Sequence, residues 1–289
     1  MLSISETARR LFDRAAPPET TIPRETARPA VSRLESKIIQ IGGFAIDVAG
    51  LPTDRYFEHV ENVYSDNIAL CNLIWTTIAP GAVIMDVGAN IGIFSTLFNR
   101  IIPDTTVYSF EPSPKAYECL TETLRRNGVR TDRAFNFGIG EKSGTLNFYE
   151  CDMLAGSCIV TQDDNKHLAN TTIPVVPIDQ FVKEQKLERL DFIKIDVEGF
   201  ESEVLKGAKQ TLARFKPRVF IEFNSYSLIC IRDVNPRRFL DQILDTFSCV
   251  MWWDGSAWRR INNFDDRQHF MHENLTKHSC VGDVLCSYQ

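Results

Sequence analysis

The stretch VIMDVGANIGIFS, Val83 to Ser95, decides how the rest of the chain is read. Val83–Val87 is a short apolar run of strand type, Gly88–Gly92 is a turn, and Ile93–Ile101 reads as a helix. Gly88 is expected to let the backbone turn sharply and approach a ligand closely. Gly92 is expected to let the helix pack close to the sheet.

Downstream the same rhythm continues. Thr106–Phe110 reads as a strand, and Ser113 is an N-cap with Pro114 at the first helical position. That helix carries Ala116, Leu120 and Leu124 on one face and stops at Asn127-Gly128. Ala134–Gly138 is a third strand, and residues 143–175 read as an insertion of short strands and loops. The alternation resumes with a strand at Asp191–Ile195 and a helix over Phe200–Phe215, whose Phe200, Val204, Leu205, Ala208 and Leu212 keep a 3.6 period. Arg218–Phe223 is the next strand. A helix starting at Pro236, a Trp-rich run over Val250–Trp258 and an apolar run near Val284 are expected to close the sheet with an antiparallel hairpin. Strands alternating with helices predict a doubly wound α/β fold with a mostly parallel sheet. Ligands of such sheets sit outside the carboxyl ends of the strands, at the topological switch point.

Upstream, residues 1–35 are rich in Pro, Thr, Arg and Glu toward their end and read as a mobile arm. Residues 36–80 predict a hairpin (Lys37–Ile41 and Phe44–Val48, split by Gly42-Gly43) and a helix over Asp66–Ile78 leading into the core. Residues 81–289 are then the ligand-binding core. The chain of 289 residues is 44% hydrophobic and 24% charged, an ordinary globular composition. A net charge of −6 with no long Lys/Arg run argues against nucleic acid as the main partner. No apolar stretch is long enough to span a bilayer. The eight cysteines form no C-x-x-C pair, and several, such as Cys71, Cys119 and Cys249, sit in apolar runs, as expected of reduced residues in a cytoplasmic protein.

The chemistry-bearing residues fall where the switch point predicts. Glu111 ends the strand after the Gly88 turn, where an acid can accept hydrogen bonds from both ribose hydroxyls of an adenosine ligand. The turn is G-x-N-x-G rather than the G-x-G-x-x-G of dinucleotide sites. Asp86 at the strand end would repel a pyrophosphate, whereas the ammonium and sulfonium of S-adenosylmethionine attract an acid. Lys194-Ile-Asp196-Val-Glu198-Gly199 ends a later strand, and Glu222-Phe-Asn224 ends the one after it. Asp196 follows Ile195 where the cleft should open. Glu198 has an alternative reading as an acid favoured by a helix start, and Lys194 as an ion-paired face residue. His269 and His272 match no metal motif, and Trp252, Trp253 and Trp258 read as packing residues of the closing hairpin.

These motifs, together with FEPSP (110–114), FNFGIGEKSG (135–144), VVPIDQF (175–181), KIDVEGFESEVLKGA (194–208) and FIEFN (220–224), resemble the FkbM-type family of S-adenosylmethionine-dependent O-methyltransferases in order and spacing, over roughly Asn62 to Asn224. The resemblance implies a class I methyltransferase-like, Rossmann-like fold. It implies that Asp86, Gly88, Asn90 and Gly92 form the cofactor turn, that Glu111 holds the ribose, that Asn136 faces the adenine side and that Tyr64 contributes an aromatic contact. Asp196 and Glu198 are implied at the reaction end. Of the candidate acids Asp196, Glu198 and Glu222, Asp196 is expected nearest the transferred methyl, where it takes the hydroxyl proton, with the alternative that it holds the methionine ammonium. The implied acceptor is a hydroxyl of a sugar, glycolipid or secondary metabolite, with no metal required. Phe137-Gly138 departs from the small Ala-rich pair expected there. Two rival readings are an NAD-linked oxidoreductase and a non-catalytic cofactor-binding module.

Overall fold

The computed structural model describes residues 34–64, 74, 76–151, 156–160, 168–277 and 280–288. The arm at 1–33 and most of the helix expected over Asp66–Ile78 lie outside the described residues. The chain begins with a hairpin, β1 (Glu35–Ile41) and β2 (Phe44–Gly50), followed by helix α1 (Arg55–Tyr64). Gly42 and Gly43 take φ of 54° and 87°, the left-handed values that a two-residue hairpin turn needs.

The core then runs β3 (Val83–Val87), α2 (Ile93–Ile101), β4 (Thr106–Phe110), α3 (Pro114–Arg126), β5 (Ala134–Phe135), β6 (Gly138–Ile139), β7 (Gly144–Tyr149), β8 (Cys158–Ile159), β9 (Thr171–Val176) and α4 (Ile178–Glu184). It continues with β10 (Phe192–Ile195), α5 (Glu201–Lys206), α6 (Lys209–Phe215), β11 (Arg218–Asn224), a π-helical turn (Ser227–Ile231), α7 (Pro236–Thr246), β12 (Cys249–Trp253), β13 (Trp258–Arg260), α8 (Phe264–Thr276) and β14 (Val281–Ser287). The main sheet has the order β13-β12-β14-β11-β10-β3-β4-β5. Strands β11, β10, β3, β4 and β5 are parallel, and β14, β12 and β13 close one edge antiparallel. This is the doubly wound α/β architecture of class I methyltransferases, with its switch point between β3 and β10.

Three local expectations are corrected. The segment Ala134–Gly138 is two strands in different sheets: β5 extends the main sheet, whereas β6 joins β9, β7 and β8 in a second, four-stranded sheet built from the 143–175 insertion. The long helix over Phe200–Phe215 breaks at Gly207-Ala208, where a Cβ on Gly207 would stand 2.0 Å from the Gly140 carbonyl oxygen. The Asp179 carboxylate caps the second piece by accepting from the Gln210 and Thr211 amides at 3.0 and 2.8 Å. At Gly92 the close neighbour is a helix: a Cβ there would meet Leu120 of α3 at 2.9 Å, so the glycine permits a helix–helix approach.

The hairpin is fastened to α3 by side chains that replace a neighbouring strand. Thr123 Oγ1 accepts from the Ala49 amide at 2.9 Å, and Asn127 Oδ1 accepts from the Asp47 amide at 3.1 Å. Asn127 Nδ2 donates to the Asp47 and Thr123 carbonyls at 2.8 and 2.7 Å. Ile39, Ile41, Ile46 and Val48 then pack with Ile84, Phe98, Phe192 and Phe220 over one face of the main sheet. Replacing Asn127 by alanine leaves the Asp47 backbone short of two partners. It should lower the unfolding free energy by about 1–3 kcal/mol, measurable as a lower midpoint in urea.

Candidate active site

The turn after β3 is pinned before any ligand arrives. The Gly88 and Ala89 amides both donate to the Phe110 carbonyl at 3.0 Å, and Asn90 and Gly92 take left-handed φ of 47° and 90°. A Cβ on Gly88 would lie 1.8 Å from the Asp196 carbonyl oxygen, so the glycine serves the approach of two strand ends to each other. Outside these strand ends lies a cavity lined by Tyr56, Gly88, Asn90, Phe94, Glu111, Gly138, Cys158, Lys194, Asp196, Glu198 and Glu222, among others.

Glu111 is buried at the mouth of β4. Its Oε2 accepts from the Asn90 amide and its Oε1 from the Ser113 amide, both at 2.8 Å. Two fixed amides orient the carboxylate and leave each oxygen a further lone pair toward the cavity. Burial pushes its pKa up to about 7 despite those bonds. The Asn90 side chain lines the same cavity, and its Oδ1 is buried with no hydrogen-bond partner among the described residues. An orphaned acceptor beside an open cavity suits a ligand that brings its own N–H or O–H.

Asp86 is placed differently from the sequence expectation. It is wholly buried and does not line the cavity. Its Oδ2 accepts from Ser95 Oγ at 2.6 Å, and its Oδ1 lies 3.6 Å from Lys194 Nζ. Burial raises its pKa, and the Lys194 charge opposes that rise. Asp86 is therefore an internal counterion of the site. The repulsion of a pyrophosphate, expected from Asp86, falls instead to the acids that do face the cavity.

Those acids are the three expected at the reaction end. Asp196 follows β10 with its amide still bonded to the Val87 carbonyl at 3.1 Å, and its Oδ2 accepts from Lys194 Nζ at 3.0 Å. Glu198 takes φ of 52° in a tight turn. Its Oε2 accepts from Ser227 Oγ at 2.8 Å and from Asn224 Nδ2 at 3.3 Å. Glu222, on β11, accepts from Asn224 Nδ2 at 3.4 Å and stands opposite Asp283 of β14. Oxygens of Asp196, Glu198 and Glu222 come within 4.8 Å of one another. Burial first, then the Asp196 charge, raises Glu198 to about 7 and Glu222 well above the usual carboxylate range. The same two causes raise Asp283 to about 7. Glu201, also raised to about 7 by burial, braces the turn: its Oε1 accepts from the Val197 and Gly199 amides at 3.1 Å.

The structure thus brings Gly88, Asn90, Glu111, Asp196, Glu198 and Glu222 to one cavity. Asn136 lies behind it and braces the loop, with Nδ2 donating to the Glu111 and Pro112 carbonyls at 2.9 and 3.1 Å. The Tyr64 side chain is outside the described residues. Tyr56, about two turns earlier on α1, lines the cavity and had no local motif to mark it. Phe148, Ser157, Cys158 and Ile159 form another wall, so the second sheet belongs to the site. Phe137 is buried among Phe110, Phe135 and Phe181, which explains the large residue where a small one was expected.

The mostly parallel sheet with its glycine turn at the switch point is the class I methyltransferase fold. The model of the FkbM methyltransferase domain matches residues 86–235. The chain belongs to the FkbM methyltransferase family. It is 30% identical over 156 residues to methyltransferase sdnD of Sordaria araneosa, covering 44% of this chain and 60% of that protein. It is 28% identical over 189 residues to the 2-O-methyltransferase NoeI of Sinorhizobium fredii, covering 59% of this chain and 74% of that one. The chain thus spans about three fifths of the first relative's length. Among solved structures, methyltransferase FkbM of Methylobacillus flagellatus is 20% identical and superposes with a TM-score of 0.41, covering 67% of this chain and 47% of that one.

The raised acids make a stability prediction whose sign runs opposite to that of a salt-bridged carboxylate. Glu111, Glu198, Glu201 and Asp283 lose their protons near pH 4 when unfolded and near 7 when folded. Folding therefore holds extra protons between those values, and stability falls as pH rises through that window. Calorimetric melting of the ligand-free protein should give a lower Tm at pH 8 than at pH 5.5. A higher Tm at pH 8 would contradict the placement of these acids.

Proposed function

We propose that this chain transfers a methyl group from S-adenosylmethionine to a hydroxyl of a sugar, glycolipid or secondary metabolite. The observation that carries the reading is the convergence on one cavity of the Gly88–Asn90 turn, Glu111, and the acids Asp196, Glu198 and Glu222. A cavity with this many carboxylates disfavours a pyrophosphate and favours a cationic ligand. The residues present fit the cofactor: Glu111 offers two oriented oxygens to a ribose diol, and the unpartnered Asn90 Oδ1 offers an acceptor to a further donor. Bound there, S-adenosylmethionine supplies an electrophilic methyl on a sulfonium. The printed name of the NoeI relative, a 2-O-methyltransferase, supports oxygen as the accepting atom.

In this reading the protein's work is alignment and one proton transfer. Asp196 is the proposed residue nearest the accepting hydroxyl. It ends a buried strand, its backbone is held by the Val87 carbonyl, and its side chain is about one-third exposed (32%) to the cavity. When ionised it accepts only, so it orients a hydroxyl and takes its proton. Glu198 and Glu222 stand beside it, their oxygens within 4.8 Å of those of Asp196.

Calorimetry should detect both S-adenosylmethionine and S-adenosylhomocysteine, and Glu111→Ala should weaken each by about 1.5–3 kcal/mol per lost charge-assisted hydrogen bond. Unchanged affinity in that variant removes the ribose assignment. A second measurement addresses Asp196. With an acceptor identified by mass spectrometry of extracts incubated with methyl-labelled cofactor, Asp196→Asn should keep near-normal cofactor affinity and lose about 10²- to 10⁴-fold in turnover. Lost affinity would move Asp196 to cofactor binding, and full turnover would pass the role to Glu198 or Glu222.

A further inference from the structure

One residue of the cavity has no part in the reading above. Lys194 sits in the middle of β10, a strand buried along its whole length, and is only 3% exposed. The register explains why a lysine is tolerated there. Lys194 pairs laterally with Asp86 on β3, and Asp196 lies two residues on, on the same face. Its Nζ stands 3.0 Å from Asp196 Oδ2, 3.3 Å from the Gly88 carbonyl oxygen and 3.6 Å from Asp86 Oδ1. The Phe94 ring of α2 covers it, with the centroid 4.7 Å away. Carboxylates surround this ammonium from the strands and strand ends around it: Asp86 from β3, Glu111 beyond β4, Asp196 and Glu198 beyond β10, Glu222 from β11 and Asp283 from β14. Its charge draws down the pKa values of Asp86, Glu111, Glu198 and Asp283 alike.

We propose that Lys194 is a specificity-determining residue for the charge of the bound cofactor: its buried ammonium offsets the surrounding carboxylates and so sets how strongly the cavity prefers a sulfonium to the neutral thioether that methyl transfer leaves behind. The proposal rests on the cofactor reading given above. Its logic is differential binding. Methyl transfer removes the positive charge from sulfur, so any carboxylate stabilisation of the sulfonium is surrendered on the way to the transition state. An acid row without a counter-charge would hold the cofactor too well before reaction. A fixed cation inside the row limits that ground-state preference, while its bonds to Gly88 and Asp196 keep the turn and the acid in place.

The test needs no acceptor. Wild type, Lys194→Met and Lys194→Gln are titrated with S-adenosylmethionine and with S-adenosylhomocysteine by calorimetry at pH 9, above the value of about 7 to which burial pushes Glu111, Glu198 and Asp283, with EDTA present to keep metal ions off the acids. The quantity read is the ratio of the two Kd values, thioether over sulfonium. Loss of the ammonium should raise that ratio roughly tenfold, the order expected for removing one nearby unit charge from a partly polarisable interior. A merely structural lysine would weaken both ligands by the same factor, so an unmoved or lowered ratio overturns the proposal. Both variants remove the counterion of Asp86, but Lys194→Gln keeps an N–H donor for the Gly88 carbonyl and carries the test if Lys194→Met, which has none, does not fold. Wild type that binds neither ligand overturns the cofactor reading and this proposal together; wild type that binds both, with the ratio unmoved in the variants, overturns this proposal alone.

Discussion

Two strand ends meet at Gly88 and Asp196 so closely that no side chain fits between them, and the site depends on that approach. It is the point where the parallel sheet changes direction: from β3 the chain winds outward through β4 and β5, then returns to start β10 on the other side. The crevice opens where the two halves part. Because the Gly88 amide is tied to Phe110 and the Asp196 amide to Val87, the turn, Glu111 and the reaction-end acids hold fixed positions relative to one another. Pre-set polar groups of this kind need little rearrangement when a ligand arrives.

The pleat decides which charges reach the cavity. Ile84, Phe192 and Phe220 pack under the N-terminal hairpin, on the face that also receives Asp86 and Lys194. The hairpin, α2 and α3 therefore seal an ion pair that a bare βαβ core would leave wet. Ser95, from the first turn of α2, completes the Asp86 shell and is itself paired with Ser109 Oγ at 2.7 Å. A buried carboxylate of this kind is tolerated because it is both paired and hydrogen-bonded.

Much of this was legible in the sequence where the signal was local. The β3 run, the glycine turn, Ser113 as N-cap and Glu111 at a strand end are each fixed by a few neighbouring residues, and the structure has them where the pattern put them. The hairpin was readable from two alternating runs around Gly42-Gly43. What failed depends on distant partners. That Asp86 is internal follows from its register with Lys194, more than a hundred residues later. That the Phe200–Phe215 helix breaks follows from Gly140 approaching Gly207. Tyr56 and the second sheet enter the cavity only through tertiary packing, and no spacing along the chain marks either.

The place of β14 has a consequence for how the sheet is assembled. It follows β12 and β13 in the chain, yet it lies between them and β11. The Trp-rich hairpin of β12 and β13 therefore has no seat on the parallel core until the later strand is laid in, and β11 keeps an open edge until then. One strand acts as the keystone for two neighbours, and through Asp283 it also delivers a carboxyl to the acid row opposite Glu222. Completion of the charge field and closure of the fold are thus one event, so a partly assembled chain lacks both.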